Sequence, residues 1–213
     1  MENTNPLNPN ANYSFLLWWV LVNIVGLPGL LLPYGIGYFL MAYLVVMGDG
    51  TPLGPFWYTI IFIILALSGA LMGAWLGFMQ WLPLKARMVQ SGRWIRASSL
   101  GVAIGAPLGC FVYGLYLVSG IYFSFGDAYL IFGILLGLTI GVSQWFVLQQ
   151  QVDGAGWWII VVPGCFILGI FYFFLSNASP VVNAITVLAG VGCFTGILLS
   201  LLLQFPKLQR AGQ

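Results

Sequence analysis

Histidine is absent from the sequence, and four acidic residues stand against six basic ones. Without histidine there is no imidazole base, no proton shuttle near neutral pH, and no nitrogen ligand of the kind that dominates zinc sites. The acids, Glu2, Asp49, Asp127 and Asp153, lie in the N-terminal segment or between the apolar runs. No acid–base pair, catalytic triad or metal cluster assembles from them. Ser68, Ser98, Ser99 and Ser143 have no base beside them. Cysteine is scarce too: Cys110, Cys165 and Cys193 sit inside apolar stretches without CxxC spacing and read as small buried hydrophobes. These absences predict a chain that is not an enzyme and holds no metal. A net charge of +2, with its bases clustered, gives no reason to expect nucleic acid.

What is present is apolar. Hydrophobic residues make up 61% of the 213 and charged residues 5%, against roughly 25% charged in an ordinary soluble domain. Ten charges cannot cover the surface of a water-soluble fold this size, whereas lipid solvates what water does not. Runs long enough to span a membrane occur at about 13–47, 57–82, 94–119, 127–149, 156–175 and 182–205. The first is too long for one straight span and contains Gly26-Leu27-Pro28-Gly29 and Pro33. It is expected to form one long kinked helix whose end leaves the bilayer, with a re-entrant segment as the alternative. Met1 to Asn12 is polar, lacks a basic n-region, and reads as a short disordered lead rather than a signal peptide.

The predicted fold is therefore an all-α integral membrane protein with six transmembrane helices arranged as three tandem hairpins. Charge placement orients it. Lys85, Arg87, Arg93 and Arg96 flank the second connection, and Lys207 and Arg210 lie in the tail. With six spans all of these share one face, which the positive-inside rule makes cytoplasmic together with both termini. Trp18, Trp19, Trp81, Trp94, Trp145, Trp157 and Trp158 fall near the same helix ends. An indole has an apolar body and a single N–H and settles at headgroup level, so Trp81, Trp94, Trp145 and Trp158 are expected to be interface anchors.

A repeat runs through the chain. At a shift of 64 residues, Gly69, Gly73, Gly77, Gln80, Trp81, Leu84, Gly92, Trp94 and Ile95 fall on Gly133, Gly137, Gly141, Gln144, Trp145, Leu148, Gly156, Trp158 and Ile159 without a gap. A weaker third copy is Gly192, Gly196 and Ser200, followed by Gln204-Phe205. The implied hairpin units are 13–91, 92–155 and 156–213, after a cytoplasmic 1–12. Glycines four apart share one helix face, so each trio forms a flat groove of the glycine-zipper kind that admits a neighbouring backbone. Gly101, Gly105 and Gly109 repeat the device on the third span. Tight helix packing is the favoured role, with a groove for a lipid, carotenoid or chlorophyll tail as the alternative. Gln80, Gln144 and Gln204 recur near the cytoplasmic helix ends. Each amide needs partners. Bonds to neighbouring helix ends or headgroups would supply them, while a polar constriction or a ligand to chlorophyll magnesium are the sharper alternatives.

The Q-W-x2-L and G-x-W-I pattern, over residues 69–96 and 133–160 and weakly over 192–205, resembles a group of bacterial multipass membrane proteins, cyanobacterial ones among them. The resemblance implies a bacterial membrane origin and assigns no activity. A three-hairpin plan is also that of the mitochondrial carriers, but Pro83-Leu84-Lys85 has a base where their signature has an acid.

Short loops and glycine faces on several helices lead to the expectation of a non-catalytic accessory, scaffold or assembly subunit. Its host would be a larger complex of a bacterial inner or thylakoid membrane, a photosynthetic complex included. Its partners would be membrane lipid and other membrane subunits. The alternatives are a channel or facilitator for a neutral or lipophilic solute, lined by polar atoms such as those of Asn23, Thr139, Thr195 and Ser200, and a lipid- or pigment-binding protein.

Overall fold

The computed structural model describes residues 9–26, 54–119, 125–176 and 180–204. Among these the chain is helical: α1 (Pro9–Val25), α2 (Pro55–Leu84), α3 (Gly92–Ser119), α4 (Phe125–Leu148), α5 (Trp157–Leu175) and α6 (Pro180–Leu202). Four stretches are long and apolar enough to cross a membrane: Thr59–Leu84, Gly92–Val112, Leu130–Leu148 and Ile185–Leu202. Two shorter apolar helices, Tyr13–Val25 and Trp157–Tyr172, accompany them. The long first helix expected over 13–47 is described only to Gly26; the rest of it lies outside the described residues.

Prolines mark helix starts at Pro55 and Pro180, where a missing N–H costs no hydrogen bond. Pro107 and Pro163 lie inside α3 and α5 and are buried against neighbouring helices, the setting in which apolar bundles tolerate interior proline.

Each helix packs on the next in sequence, and α1 packs on both α2 and α6, so the six close into a ring. Glycine faces set four of these contacts. A Cβ at Gly69 would stand 2.7 Å from the Val102 carbonyl oxygen, and one at Gly73 2.7 Å from Ser99 Cα, so α2 rests backbone to backbone on α3. At Gly137 a Cβ would lie 2.6 Å from Pro163 Cα, which seats α4 on α5. At Gly192 it would lie 3.2 Å from Val20 Cα, and at Gly196 2.7 Å from Trp19 Cδ1, which seats α6 on α1. Gly101, Gly105 and Gly109 face α4 at Ile140, Thr139 and Phe132.

The 64-residue repeat extends to individual backbone bonds. In the first turn the amides of Lys85, Arg87, Met88 and Trp94 donate to Trp81, Leu84, Leu84 and Ser91. In the second, Gln149, Gln151, Val152 and Trp158 donate to Trp145, Leu148, Leu148 and Ala155. Both turns pass through the left-handed region at the same place, at Gln90 (φ 62°) and Gly154 (φ 74°). Like pairs thus run α2–α3, α4–α5 and α6–α1. That frame is shifted by one helix from the boundaries 13–91, 92–155 and 156–213, and α1 completes the last pair rather than opening the first.

The buried core gathers at the end of the ring that carries the two turns, the start of α1 and the end of α6. The pieces interlock there. The Arg87 guanidinium lies 4.4 Å above the Phe15 ring, Arg93 Nη1 donates to Gln150 Oε1 (2.8 Å), and Gly154 lies against Leu202.

Candidate functional site

The centre of that core is polar in its bonding and aromatic in its bulk. Trp94 and Trp158 each open an odd-numbered helix directly after a turn, and Trp19 lies on α1 at the same level. All three are buried. Trp19 meets Trp94 edge-on, with ring centroids 6.2 Å apart and planes at 72°; Trp94 meets Trp158 at 5.7 Å and 66°. Edge-to-face geometry places the positive rim of one indole on the negative face of the next.

Each indole N–H is satisfied by the helix paired with its own. Trp94 Nε1 donates to Gln80 Oε1 (2.9 Å), Trp158 Nε1 to Gln144 Oε1 (2.8 Å) and Trp19 Nε1 to Thr195 Oγ1 (3.0 Å). The glutamine nitrogens reach the preceding odd-numbered helix one turn beyond its tryptophan. Gln80 Nε2 donates to Asn23 Oδ1 (2.9 Å) and Gln144 Nε2 to Ser98 Oγ (2.9 Å). A longer bond from Gln144 Nε2 to Gln80 Oε1 (3.3 Å) joins the two amides. Asn23 Nδ2 donates to the Trp19 carbonyl (2.7 Å), and the Thr195 hydroxyl to that of Val191 (2.7 Å). Below this layer Leu84, Leu148 and Leu199, each four residues after its polar partner, are fully buried.

Gln80 and Gln144 are therefore brought together, both buried. Gln204 is exposed at the end of α6, and Thr195 holds the place equivalent to theirs. Gly192-x2-Thr195-x3-Leu199 repeats Gly141-x2-Gln144-x3-Leu148. What repeats here is the hydrogen-bond acceptor rather than the residue type, so the spacing to glycine and leucine, not the glutamine itself, carries the match.

The four indoles expected at the interface divide. Trp81 and Trp145 are half-buried, and Trp81 Nε1 donates to Ser91 Oγ (2.9 Å). Trp94 and Trp158 are not interface anchors but core residues. The helix start turns them inward while Arg93 and Trp157 point out, and their N–H groups bond to glutamine rather than to headgroups. The same split separates exposed Trp18 from buried Trp19.

Every amide oxygen in this network already accepts a hydrogen bond. Gln80 Oε1 accepts two, from Trp94 Nε1 and Gln144 Nε2, and the three buried indoles pack against one another beside it. No titratable side chain takes part. Among the described residues no group of three or more His, Cys, Asp or Glu is placed to hold a metal ion. The cysteines are free thiols: Cys165 buried, Cys110 half-buried and Cys193 exposed. Comparison with protein-family models, with curated proteins and with solved structures finds no match.

Proposed function

We propose that this chain is a non-catalytic accessory or scaffold subunit of a larger complex in a bacterial inner or thylakoid membrane. On this reading it has six spanning helices, with both termini and the two described turns on the cytoplasmic side. The observation that carries the proposal is the polar network: Gln80, Gln144, Asn23, Ser98 and Thr195 bond to one another or to three buried indoles, and no titratable group takes part. A bundle whose interior does no chemistry acts through its outside.

The outside offers a place for another helix. Gly164 on α5 and Gly190 on α6 have nothing within 4 Å of a would-be Cβ. Interior glycine costs a helix about 1 kcal/mol relative to alanine. Elsewhere in this bundle close approach of a neighbour offsets that cost; at these two positions no part of the described chain does so. Gly164 is flanked on its face by exposed Ile160 and Leu168, and Gly190 by exposed Thr186 and Phe194. A partner helix seated on such a notch gains the dispersion contact that drives association in lipid.

The test is co-purification from native membranes in a mild detergent, with a C-terminal tag and mass spectrometry of what is retained. A stoichiometric membrane partner, lost on Gly164→Leu with Gly190→Leu, is the expected result. Isolation of the 23.3 kDa chain alone, from membranes where it is abundant, would contradict the proposal.

A further inference from the structure

The seam between α2 and α3 differs from its repeat in one respect that packing does not require. Lys85 and Arg96 flank it at the turn end, and both are exposed. Sixty-four residues on, the α4–α5 seam is built on the same turn bonds with Gln149 and Ile160 at these places. The turn bonds are thus made without the two charges, and beyond their share in the basic face that orients the chain they distinguish this seam from its repeat.

The surroundings define what the pair would bind. Gly77 lies against Ile95 and Ser98, so Phe78 and Arg96, each the next residue along, stand at one level on the outer side of the seam. Arg96 heads the outward stripe of α3 that continues through Leu100, Ile104 and Leu108, all exposed. Its guanidinium therefore begins a lipid-facing surface, from which a long cationic side chain reaches to headgroup level. On α2, Lys85 Nζ sits 5.3 Å over the Trp81 ring, Trp81 stacks on Phe78 (5.8 Å, 25°), and Phe78 is followed by Trp75 (6.5 Å, 37°). Phe78 and Trp75 are exposed. The result is two cations at the headgroup end and an exposed aromatic track running from them toward the bilayer centre. Among the described residues the nearest acid in sequence is Asp127, which sits in the first turn of α4, at the opposite end of the ring. Asp153 belongs to the other turn.

We propose that this seam holds an anionic phospholipid, its phosphate between Lys85 and Arg96 and one acyl chain along Phe78 and Trp75. The equivalent position on the α4–α5 seam has Val142 and Thr139 in place of the aromatics, so the proposal is specific to one of the three like pairs.

The test is native mass spectrometry of the full chain in detergent, with phosphatidylglycerol and phosphatidylcholine of matched acyl chains. The wild type is expected to retain phosphatidylglycerol preferentially. Lys85→Gln with Arg96→Ile, which installs the residues of the second seam and so keeps a fold that seam already uses, should lower the preference. A cation near the membrane surface contributes about fivefold, so the double change removes about 25-fold and leaves phosphatidylcholine adducts unchanged. Lys85→Arg with Arg96→Lys keeps both charges and should keep the preference. Equal retention of the two lipids by the wild type, an undiminished preference in the neutral variant, or its loss in the charge-preserving variant would overturn the proposal.

Discussion

Replacing Gln144 by Leu changes side-chain volume little and removes one node of the buried network. Trp158 Nε1 then loses its acceptor, and Ser98 Oγ its amide donor. The Ser98 oxygen loses one donor, but its O–H stays free to donate to a carbonyl one turn back on its own helix, so the hydroxyl is not left wholly unbonded. The indole N–H has no such recourse, because its position is fixed between Trp94 and the end of α4. An orphaned buried donor costs about 1–3 kcal/mol, and the lost bond at Ser98 adds about 0.5 kcal/mol. We expect Gln144→Leu to destabilise the bundle by about 2–3 kcal/mol. Trp158→Phe orphans the Gln144 oxygen and costs a similar amount, but the two changes together leave neither group stranded. A double-mutant cycle should therefore return a coupling of about 1–2 kcal/mol, above the average of about 0.6 kcal/mol found for interhelical bonds in a bilayer protein. The assay is unfolding in mixed micelles titrated with SDS, followed by far-ultraviolet circular dichroism so that the lost indole does not affect the signal. Additivity within about 0.3 kcal/mol, or a Gln144→Leu variant as stable as the wild type, would refute the reasoning.

Three further outcomes follow from the packing and the turns. Gly73→Ala drives a methyl into the backbone of α3 at Ser98 and Ser99 and should cost about 1–3 kcal/mol in the same titration, whereas Gly164→Ala meets open space and should raise the stability of the isolated chain by up to about 1 kcal/mol. Gln90→Gly relieves a left-handed residue at the place where the second turn already has Gly154 and should stabilise by about 1 kcal/mol, while Gly154→Ala should destabilise by about 1–2 kcal/mol. Thr195→Val strands the Trp19 N–H as Gln144→Leu strands that of Trp158, with an expected loss of about 1–2 kcal/mol that Trp19→Phe in the same chain largely removes.

The membrane-like, helical character of the chain was legible because it needs only composition and run length. Five of the six helices lie within a few residues of the apolar runs, and the basic turn shares one end of the ring with the 150–156 turn, as the charge placement predicts. The first span was read as longer than its described part. The repeat was legible between the first two copies, where residue identities match. It was misframed in the third, because the matching element there is a threonine on α6 bonded to a tryptophan on α1, 176 positions away in the chain. No periodicity links those two residues; only closure of the ring does. Trp94 and Trp158 were misplaced for a related reason. An indole beside a basic turn fits a headgroup anchor and a core residue equally well, and the acceptor that decides between them, Gln80 or Gln144, lies 14 positions earlier on another helix. Of the three glutamines that recur in the sequence, Gln80 and Gln144 are buried together and Gln204 is exposed. That Gln80 and Gln144 bond to each other and to indoles depends on side-chain geometry that spacing alone does not supply.

The most direct test of a closed interior is solute flux. Purified protein reconstituted in liposomes should show no permeability to water, glycerol or urea above that of empty vesicles in a stopped-flow light-scattering assay, because three indoles and three leucines are buried beside its amides. Flux well above that background, abolished by Gln80→Leu with Gln144→Leu in protein that still folds, would show that the network gates a path and would contradict the scaffold reading.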